Sequence, residues 1–352
     1  MQNEKKKDIK SLSLSELTEE LKALGEPGFR GGQVFEWLSR GVRSFQDMTN
    51  ISQDLRARLD REYEISALNV LRRQVSARDG TVKFLWELAD GNSVESVVMN
   101  YEHGNTVCIS SQVGCRMGCA FCASTLGGLV RDLRPSEMLD QVIYSQKESG
   151  KRISNIVMMG IGEPLDNFEN VMKFLELVND PHGIGIGMRH ISLSTCGLTE
   201  TVDKLAEYNL QLTLSVSLHA PDDETRSKLM PVNRRYGVDR VLSACERYFR
   251  KTGRRISYEY AMVRDVNDTP RHAALLIDKL KGTGSHVNLI PLNHVDERSL
   301  MPSTRETVKR FESELKNHGI NVTVRRRLGG DIDASCGQLR RKHSPSAKTQ
   351  QE

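Results

Sequence analysis

The spacing of hydrophobic positions changes along the chain, and each change predicts a different kind of structure. Residues 11–63 carry apolar side chains at helical spacing. Residues 82–88 and 94–99 instead alternate apolar and polar side chains, and the Asp-Gly-Asn sequence at 90–92 is typical of a hairpin turn. The pattern therefore predicts a small helical module followed by a β-hairpin. The helices predicted within the module cover residues 16–24 and 33–41.

From residue 106 onward, short apolar segments alternate with amphipathic ones. The predicted strands cover residues 106–110, 153–160, 191–195, 212–218, 256–262, 287–291 and 322–325. The predicted helices lie near residues 135–149, 168–179, 199–208, 238–251, 270–281 and 304–318. Such alternation predicts a parallel sheet with right-handed crossovers. Seven strands are too few to close an eight-stranded barrel, so we expect an α/β fold with a partial (β/α) barrel.

The 352 residues suffice for one large core with a small appendage. We expect a helical accessory domain, a β-hairpin extension, the barrel core and a basic, disordered tail. Their predicted bounds are 1–65, 66–100, 101–340 and 341–352.

Charge and cysteine usage restrict the class of protein. The net charge of +4 is too small by itself to indicate a polyanionic partner, although basic runs at 325–327 and 340–342 flank Cys336 and predict contact with RNA. Seven cysteines, with no apolar segment at the N-terminus, argue against a secreted disulfide scaffold. No apolar run approaches the length of a membrane span. We therefore expect a protein of the reducing cytoplasm.

Three cysteines lie close together at positions 115, 119 and 122, with Gly118 between the first two. This spacing allows three thiolates to hold one [4Fe–4S] cluster and leaves the fourth iron open to a small chelating ligand. A structural zinc site is one alternative, but no second Cys-x-x-Cys or His pair supplies the fourth ligand, and only Cys108 lies nearby. A buried stripe on one face of a helix is the other alternative.

The Cys-x3-Cys-x-Phe-Cys spacing resembles that of radical S-adenosylmethionine (SAM) enzymes. Several further segments resemble the RlmN/Cfr family of RNA adenine methyltransferases, and together they extend over nearly the whole chain. These segments are CISSQVG at 108–114, CASTLGG at 122–128, MGIGEP at 159–164, SLHAP at 217–221 and DIDASCGQL at 331–339. Within that family, NLIPLN at 288–293 and the Glu-Pro pair at 163–164 are more similar to the branch that methylates carbon 2 than to the branch that methylates carbon 8.

Polar residues and glycines occur where predicted barrel strands end, which is where such a fold carries its chemistry. The resemblance implies that these residues contact SAM through its ammonium, ribose and adenine groups. They are Gly162, Glu163, Ser194, Ser217, Leu218, His219 and Asn293. The resemblance also implies that the cluster is held by Cys115, Cys119 and Cys122.

The resemblance assigns the reaction to a second set of residues. It implies that Cys336 takes a methyl group from one SAM, and that a second SAM is cleaved at the cluster to a 5′-deoxyadenosyl radical that activates the S-methyl group. A transient thioether between protein and RNA results. It further implies that Cys108 resolves this adduct through a transient disulfide and that Glu95 accepts the proton from carbon 2. Composition alone would place Glu95, which stands in an alternating strand, in solvent.

The resemblance implies a methyltransferase that acts on an adenosine in the peptidyl-transferase region of 23S rRNA and on an adenosine in the anticodon loop of some tRNAs. It also implies an electron donor such as flavodoxin or ferredoxin, and a monomer. Methylation of carbon 8 is the nearest alternative. A zinc-stabilised RNA-binding module and an activase that makes a glycyl radical are alternatives from other classes, although the activase would leave Cys336 and the basic runs unexplained.

Overall fold

The computed structural model describes residues 6–339 apart from 103, 294 and 296. The tail expected at 341–352 and the basic run at 340–342 lie outside the described residues. The strands are β1 Lys7–Asp8, β2 Tyr63–Glu64, β3 Asn69–Val75, β4 Val82–Glu87, β5 Ser93–Tyr101, β6 Gly104–Cys108, β7 Gln112–Gly114, β8 Leu129–Asp132, β9 Ile153–Met158, β10 Ile191–Thr195, β11 Thr213–Ser217, β12 Ser257–Met262, β13 His286–Pro291 and β14 Asn321–Val324. The α-helices are α1 Leu14–Ala23, α2 Phe29–Ser39, α3 Gln53–Glu62, α4 Pro135–Ser149, α5 Phe168–Asn179, α6 Thr199–Glu207, α7 Asp223–Leu229, α8 Val238–Thr252, α9 Pro270–Leu280 and α10 Arg305–Asn317.

Ten strands form one sheet in the order β14-β13-β12-β11-β10-β9-β6-β5-β4-β3. The seven strands from β14 to β6 run parallel, whereas β5, β4 and β3 continue the sheet in antiparallel fashion. Among the described residues, β14 and β3 are the two edges and do not pair with each other. The sheet is thus an open, partial barrel, which confirms the predicted fold class. The predicted hairpin, β4–β5, is part of the main sheet.

Helices connect consecutive parallel strands and pack against the sheet. The strands are buried along their centres, as expected for a parallel sheet that is covered on its faces. Their central residues include Val107, Ile156, Leu193, Leu214, Tyr260 and Leu289, each 0% exposed. The C-terminal ends of the parallel strands consequently meet at one edge of the barrel, where the predicted site residues lie.

The N-terminal helices α1–α3 form a module that packs against α4 through a buried polar contact. Lys10 donates to Asp140 of α4 over 2.6 Å and to the carbonyl oxygen of Ser66 over 2.8 Å. The Ser66 hydroxyl donates to the second oxygen of Asp140 over 2.7 Å. Lys10 and Asp140 are 1% and 0% exposed in their side chains, so a charged pair lies inside the boundary between module and barrel.

Candidate active site

The three cysteines of the predicted cluster motif lie on the loop between β7 and β8, which form a short antiparallel hairpin. The backbone turns outward between the first two cysteines because Gly118 adopts a φ of +75°, which is readily available only to glycine. All three thiols line one cavity, which we name the central cavity. It is also lined by Gly162, Glu163, Ser194, Ser217, His219, Glu259, Asn293, Arg325 and Cys336.

The thiols of the loop suit a cationic inorganic group. Burial raises the pKa of Cys115 to about 12, with a smaller contribution from the charge of Glu163, and burial with its cysteine neighbours raises the pKa of Cys119. Thiolates at these positions therefore need positive charge between them. Within the part of the chain that the structure describes, no group of three or more His, Cys, Asp or Glu side chains is arranged to hold a metal ion.

Glu163 is fixed at the end of β9 by its backbone and its side chain. Its N–H donates to the side-chain oxygen of Gln112 over 2.9 Å. Its two carboxylate oxygens accept hydrogen bonds from the N–H groups of Leu165 at 3.0 Å and Cys196 at 2.7 Å. Burial raises the pKa of this carboxyl group. Because a carboxylate has about four acceptor positions, a ligand ammonium group in the cavity can still bind to it.

His219 presents a defined tautomer to the central cavity. Its Nδ1 accepts a hydrogen bond of 2.9 Å from the N–H of Ala261, which leaves the proton of the neutral ring on Nε2. Burial and the nearby Arg226 lower the pKa of His219 to about 3. Phe121 of the cluster loop packs edge-on against the ring with 4.8 Å between centroids. The imidazole is therefore a neutral hydrogen-bond donor beside the cluster loop.

The ends of β10 and β11 are held by a buried guanidinium group that the sequence did not single out. Arg226 of α7 is 0% exposed. It donates to the carbonyl oxygens of Cys196 at 2.7 Å, Ser217 at 3.2 Å and Leu218 at 3.0 Å. Ser194 and Ser217 line the central cavity, but Leu218 is fully buried and is not among the residues that line it. Arg226 thus fixes the turn from which His219 projects.

Gly160 and Gly162, which follow β9, pack closely against the backbone of residues 109–112. A Cβ atom on Gly160 would lie 2.6 Å from the carbonyl oxygen of Ile109, and one on Gly162 would lie 2.7 Å from the backbone nitrogen of Gln112. Gly162 also has a φ of +109°. These glycines therefore allow two loops of the site to pack together, and contact between Gly162 and SAM stays a prediction.

Cys336 lies between the central cavity and a second cavity. The second one, which we name the thiol cavity, is lined by Cys336, Cys108, Val97, Met99, Met159, Arg325, Arg326 and Arg327, among others. Asn293 donates a hydrogen bond of 3.0 Å to the carbonyl oxygen of Cys336 and accepts one of 2.8 Å from Arg327. Burial raises the pKa of Cys108 to about 12, and the neighbouring Cys336 adds to this shift. All seven cysteines are free thiols, so the expected Cys108–Cys336 disulfide stays a prediction for one step of a reaction.

The basic run at 325–327 divides into three environments. Arg325 is only 19% exposed in its side chain and lies 3.6 Å from Glu259, another residue of the central cavity that the sequence did not single out. Cys336 and Glu259 raise the pKa of Arg325. Arg326 and Arg327 are both exposed, and Arg327 also donates hydrogen bonds to the side-chain oxygen of Asn293 and the carbonyl oxygen of Leu292. Arg325 is therefore an internal charge of the site, and the prediction that this run contacts RNA stays a prediction.

Glu95 is buried, so the interpretation from composition alone, that it faces solvent, is wrong. Its carboxylate lies 2.9 Å from the ammonium group of Lys83 on β4, and both side chains are 2% exposed. Val97, two positions further along β5, pairs with Cys108 and lines the thiol cavity. Glu95 is on the same face of β5 as Val97, although it is not itself among the residues that line that cavity.

Comparison of the chain with known proteins identifies the family to which it is similar. Residues 7–65 match the model of the ribosomal RNA large subunit methyltransferase N-terminal domain, and residues 109–277 match that of the radical SAM superfamily. The chain is 52% identical, over 98% of its length and 97% of the relative, to a probable dual-specificity RNA methyltransferase RlmN of Lachnoclostridium phytofermentans. The chain belongs to the RlmN family. It is also 50% identical to the protein of the same description from Bacillus cytotoxicus, over 96% of this chain and 94% of the relative.

A solved structure agrees with this membership of the RlmN family. A radical SAM methyltransferase from Sphaerobacter thermophilus superposes with a TM-score of 0.90 and 41% identity, covering 95% of this chain and 99% of that one. Membership of the radical SAM superfamily implies a [4Fe–4S] cluster and SAM as cofactors. Within the described residues, no helix combines the length and the apolar character that a membrane crossing requires.

Proposed function

We propose that this chain is a radical SAM RNA methyltransferase that adds a methyl group to carbon 2 of adenosine in 23S rRNA and in some tRNAs. One observation carries the proposal: Cys336 lines both the central cavity, with the three cysteines of the cluster loop, and the thiol cavity, with Cys108. A thiol at this junction can receive a carbon from a ligand in one cavity and present it to RNA at the other. Membership of a family whose curated relatives are described as dual-specificity RNA methyltransferases supports the same function.

Three thiolates, Cys115, Cys119 and Cys122, would hold a [4Fe–4S] cluster and leave one iron for SAM. When bound, the cluster and SAM supply the one-electron chemistry that removes hydrogen from a methyl group. Glu163 is suited to bind the ammonium group of SAM, and neutral His219 can donate a hydrogen bond through Nε2. Gly162, Ser194, Ser217 and Asn293 complete this proposed site, and Leu218 would contribute through the turn that Arg226 holds.

Carbon 2 of adenine is electron-poor and cannot displace the methyl group of a sulfonium ion. The Cys336 sulfur can do so as a thiolate, after its proton has passed to solvent: its lone pair forms the new S–CH3 bond, and the sulfonium sulfur leaves as a neutral thioether with the electron pair of the bond that breaks. Cys336 then carries the carbon as S-methylcysteine. Its position at the junction of the two cavities is what this transfer needs.

Release of the RNA requires a base and a second thiol. Glu95 is proposed to accept the proton from carbon 2, and Cys108, as a thiolate, to attack the sulfur of Cys336 and form a transient disulfide. The bond between that sulfur and the RNA methylene breaks with its electron pair on the carbon, which takes up a proton and becomes the methyl group. Burial and Cys336 raise the pKa of Cys108, which favours the thiol form, so this residue must lose its proton for the resolving step. Such a thiol does not compete with Cys336 for SAM.

Two basic surfaces suit a phosphate backbone. Exposed Arg326 lies at the rim of the thiol cavity. A groove between α2, α4 and residues 181–187 is lined by Arg40, Lys147, Lys151 and Arg152, against the single carboxylate of Glu36. Lys147 and Lys151 donate to the neutral oxygens of Gly41 and Asn100, so their charges are not cancelled by those contacts. Counterion release from RNA would favour binding at both surfaces.

The decisive experiment is mass spectrometry of nucleosides from the rRNA and tRNA of a strain that lacks this gene, with and without complementation. We expect 2-methyladenosine to disappear from both RNA classes and to return on complementation. Accumulation of 8-methyladenosine on complementation, separated from its isomer by retention time, would instead favour the carbon 8 alternative. The remaining parts of the proposal are a flavodoxin or ferredoxin electron donor, a monomer and a cytoplasmic location.

A further inference from the structure

Lys83 connects two parts of the site that lie on different segments of the chain. Its ammonium group is 2.9 Å from the carboxylate of Glu95 and donates a hydrogen bond of 2.9 Å to the carbonyl oxygen of Asp333. Asp333 lies three residues before Cys336 and has a φ of +50°, so the backbone of the Cys336 loop turns sharply where Lys83 holds it. One cation therefore contacts both the proposed proton acceptor and the loop of the proposed methyl carrier.

The sheet register places Lys83 on the active side of the strands. Lys83 pairs with Val97, and Val97 pairs with Cys108, so these three residues form a row across β4, β5 and β6. Directly paired residues of antiparallel strands point to the same face. Glu95 stands on that face two positions along β5 from Val97. The ion pair thus lies next to Val97, which lines the cavity that contains Cys108 and Cys336, although neither Lys83 nor Glu95 lines that cavity itself.

Stability alone is a weak reason for this arrangement. Removing two charges from water costs several kcal/mol per ion, and apolar residues of similar volume often serve a core as well or better. The charges do have a chemical use, because a carboxylate can accept a proton only while it is ionised. A carboxylate buried without a cation would instead hold a proton.

We propose that Lys83 is a positioning residue that keeps Glu95 ionised and orients it relative to the Cys336 loop for release of the methylated RNA. The inference rests on the proposed function and adds to its reacting groups a residue, Lys83, that sets the charge and position of Glu95. When Glu95 takes up a proton, the attraction between the two side chains weakens, and Lys83 keeps its bond to Asp333. Lys83 therefore links the charge of Glu95 to the segment that carries Cys336.

The test uses the purified, cluster-loaded full chain with SAM, a reductant and a substrate RNA fragment. It compares wild type with Lys83→Met, Lys83→Arg, Glu95→Gln and the double variant Lys83→Met/Glu95→Gln. Two quantities are measured by mass spectrometry: S-methylation of Cys336, and the protein–RNA adduct on Cys336 against free methylated RNA. We expect Lys83→Met to methylate Cys336 normally, to accumulate the adduct and to release product about 100-fold more slowly, the scale of a lost general base.

The comparisons between variants separate positioning from a merely structural role. Lys83→Arg should recover part of the release rate because the charge is retained, and the double variant should release product no more slowly than Glu95→Gln alone. Lys10→Met is the matched control, since it also breaks a buried lysine–carboxylate pair, but at the boundary of the N-terminal module. We expect Lys10→Met to lower stability without accumulation of adduct.

Three outcomes would overturn the inference. In the first, Lys83→Met releases methylated RNA at the wild-type rate. In the second, the double variant releases it more slowly than Glu95→Gln alone. In the third, Lys83→Met slows methylation of Cys336 and release of RNA to the same extent. Failure of the proposed function would look different, because wild type itself would then form neither S-methylated Cys336 nor methylated RNA.

Discussion

The side-chain amide of Asn293 donates a hydrogen bond of 3.0 Å to the backbone carbonyl oxygen of Cys336. Asn293 also lines the central cavity, so one residue joins the proposed SAM site to the loop of the proposed methyl carrier. Asn293→Asp would remove the donor but keep the oxygen that accepts from Arg327. We expect methylation of Cys336 to slow by up to about tenfold, as for loss of one hydrogen bond. Single-turnover methylation followed by peptide mass spectrometry measures this, and an unchanged rate would remove Asn293 from the transfer step.

The cluster assignment is tested through iron content. Replacing Cys115, Cys119 or Cys122 with Ala should abolish the bound iron and the brown colour of anaerobically purified protein, because each thiolate holds one corner of the cluster. Cys245→Ala is the matched control, since Cys245 is buried in α8 outside the cavity. A full iron complement in any of the three loop variants would contradict the assignment.

The variants Cys336→Ala and Cys108→Ala should fail at different steps of the methyl transfer. Cys336→Ala cannot start the transfer, so no protein–RNA adduct is expected. Cys108→Ala should accumulate protein joined covalently to RNA, because the second thiol that resolves the adduct is missing. Denaturing gels and digestion with ribonuclease, followed by mass spectrometry of the Cys336 peptide, detect the adduct. Its absence from active Cys108→Ala, or its location on another residue, would refute the assigned roles.

RNA contact at the rim of the thiol cavity is expected from Arg326, an exposed member of its run that lines this cavity. Arg326→Gln should weaken RNA binding and lower the slope of log K against log salt by about one, while SAM binding is unchanged. Arg310, exposed on α10, provides the control Arg310→Gln. RNA titrations at several salt concentrations measure the slope, and equal slopes for the two variants would count against phosphate contact by Arg326.

Buried His219 predicts acid sensitivity of the fold. Its pKa is lowered to about 3, so below its ordinary pKa of about 6.5 the unfolded chain binds a proton that the folded chain does not. The contribution of this residue to stability therefore falls as pH decreases from about 6.5 towards 3, by up to about 1.4 kcal/mol per pH unit. Urea unfolding of the cluster-free protein near pH 7 and near pH 5 should give a smaller acid loss for His219→Gln than for wild type. Equal losses would show that the folded protein protonates His219.

The sequence predicted the barrel well where periodicity was long and apolar. Six of the predicted helices coincide with observed ones to within a residue or two, from α4 at Pro135–Ser149 to α10 at Arg305–Asn317. It missed α7, Asp223–Leu229, because seven mostly polar residues give too short a pattern. It also missed β3, an edge strand with Arg72 and Arg73 whose side chains are largely exposed, and the short hairpin β7–β8.

The candidate site was predicted from motifs, whereas its electrostatic partners were not. Lys83 and Glu95 belong to neighbouring strands, but Arg325 and Glu259 are separated by 66 positions, and no local pattern joins such pairs. A charged residue inside an otherwise apolar strand was the available signal. Glu259, between two tyrosines of β12, shows that signal more clearly than Glu95, which lies between Val94 and Ser96.

The contact of Lys10 with Asp140 and Ser66 has a consequence for how the molecule can be cut or recombined. Removing residues 1–65 would leave the Asp140 carboxylate of α4 with the Ser66 hydroxyl but without its cation, and the isolated module would expose the ammonium group of Lys10 with its apolar surroundings. Module and barrel should therefore melt in one cooperative transition. Exchange of the module between relatives should succeed only when the lysine at position 10 and its partners at positions 66 and 140 are all present in the resulting chain.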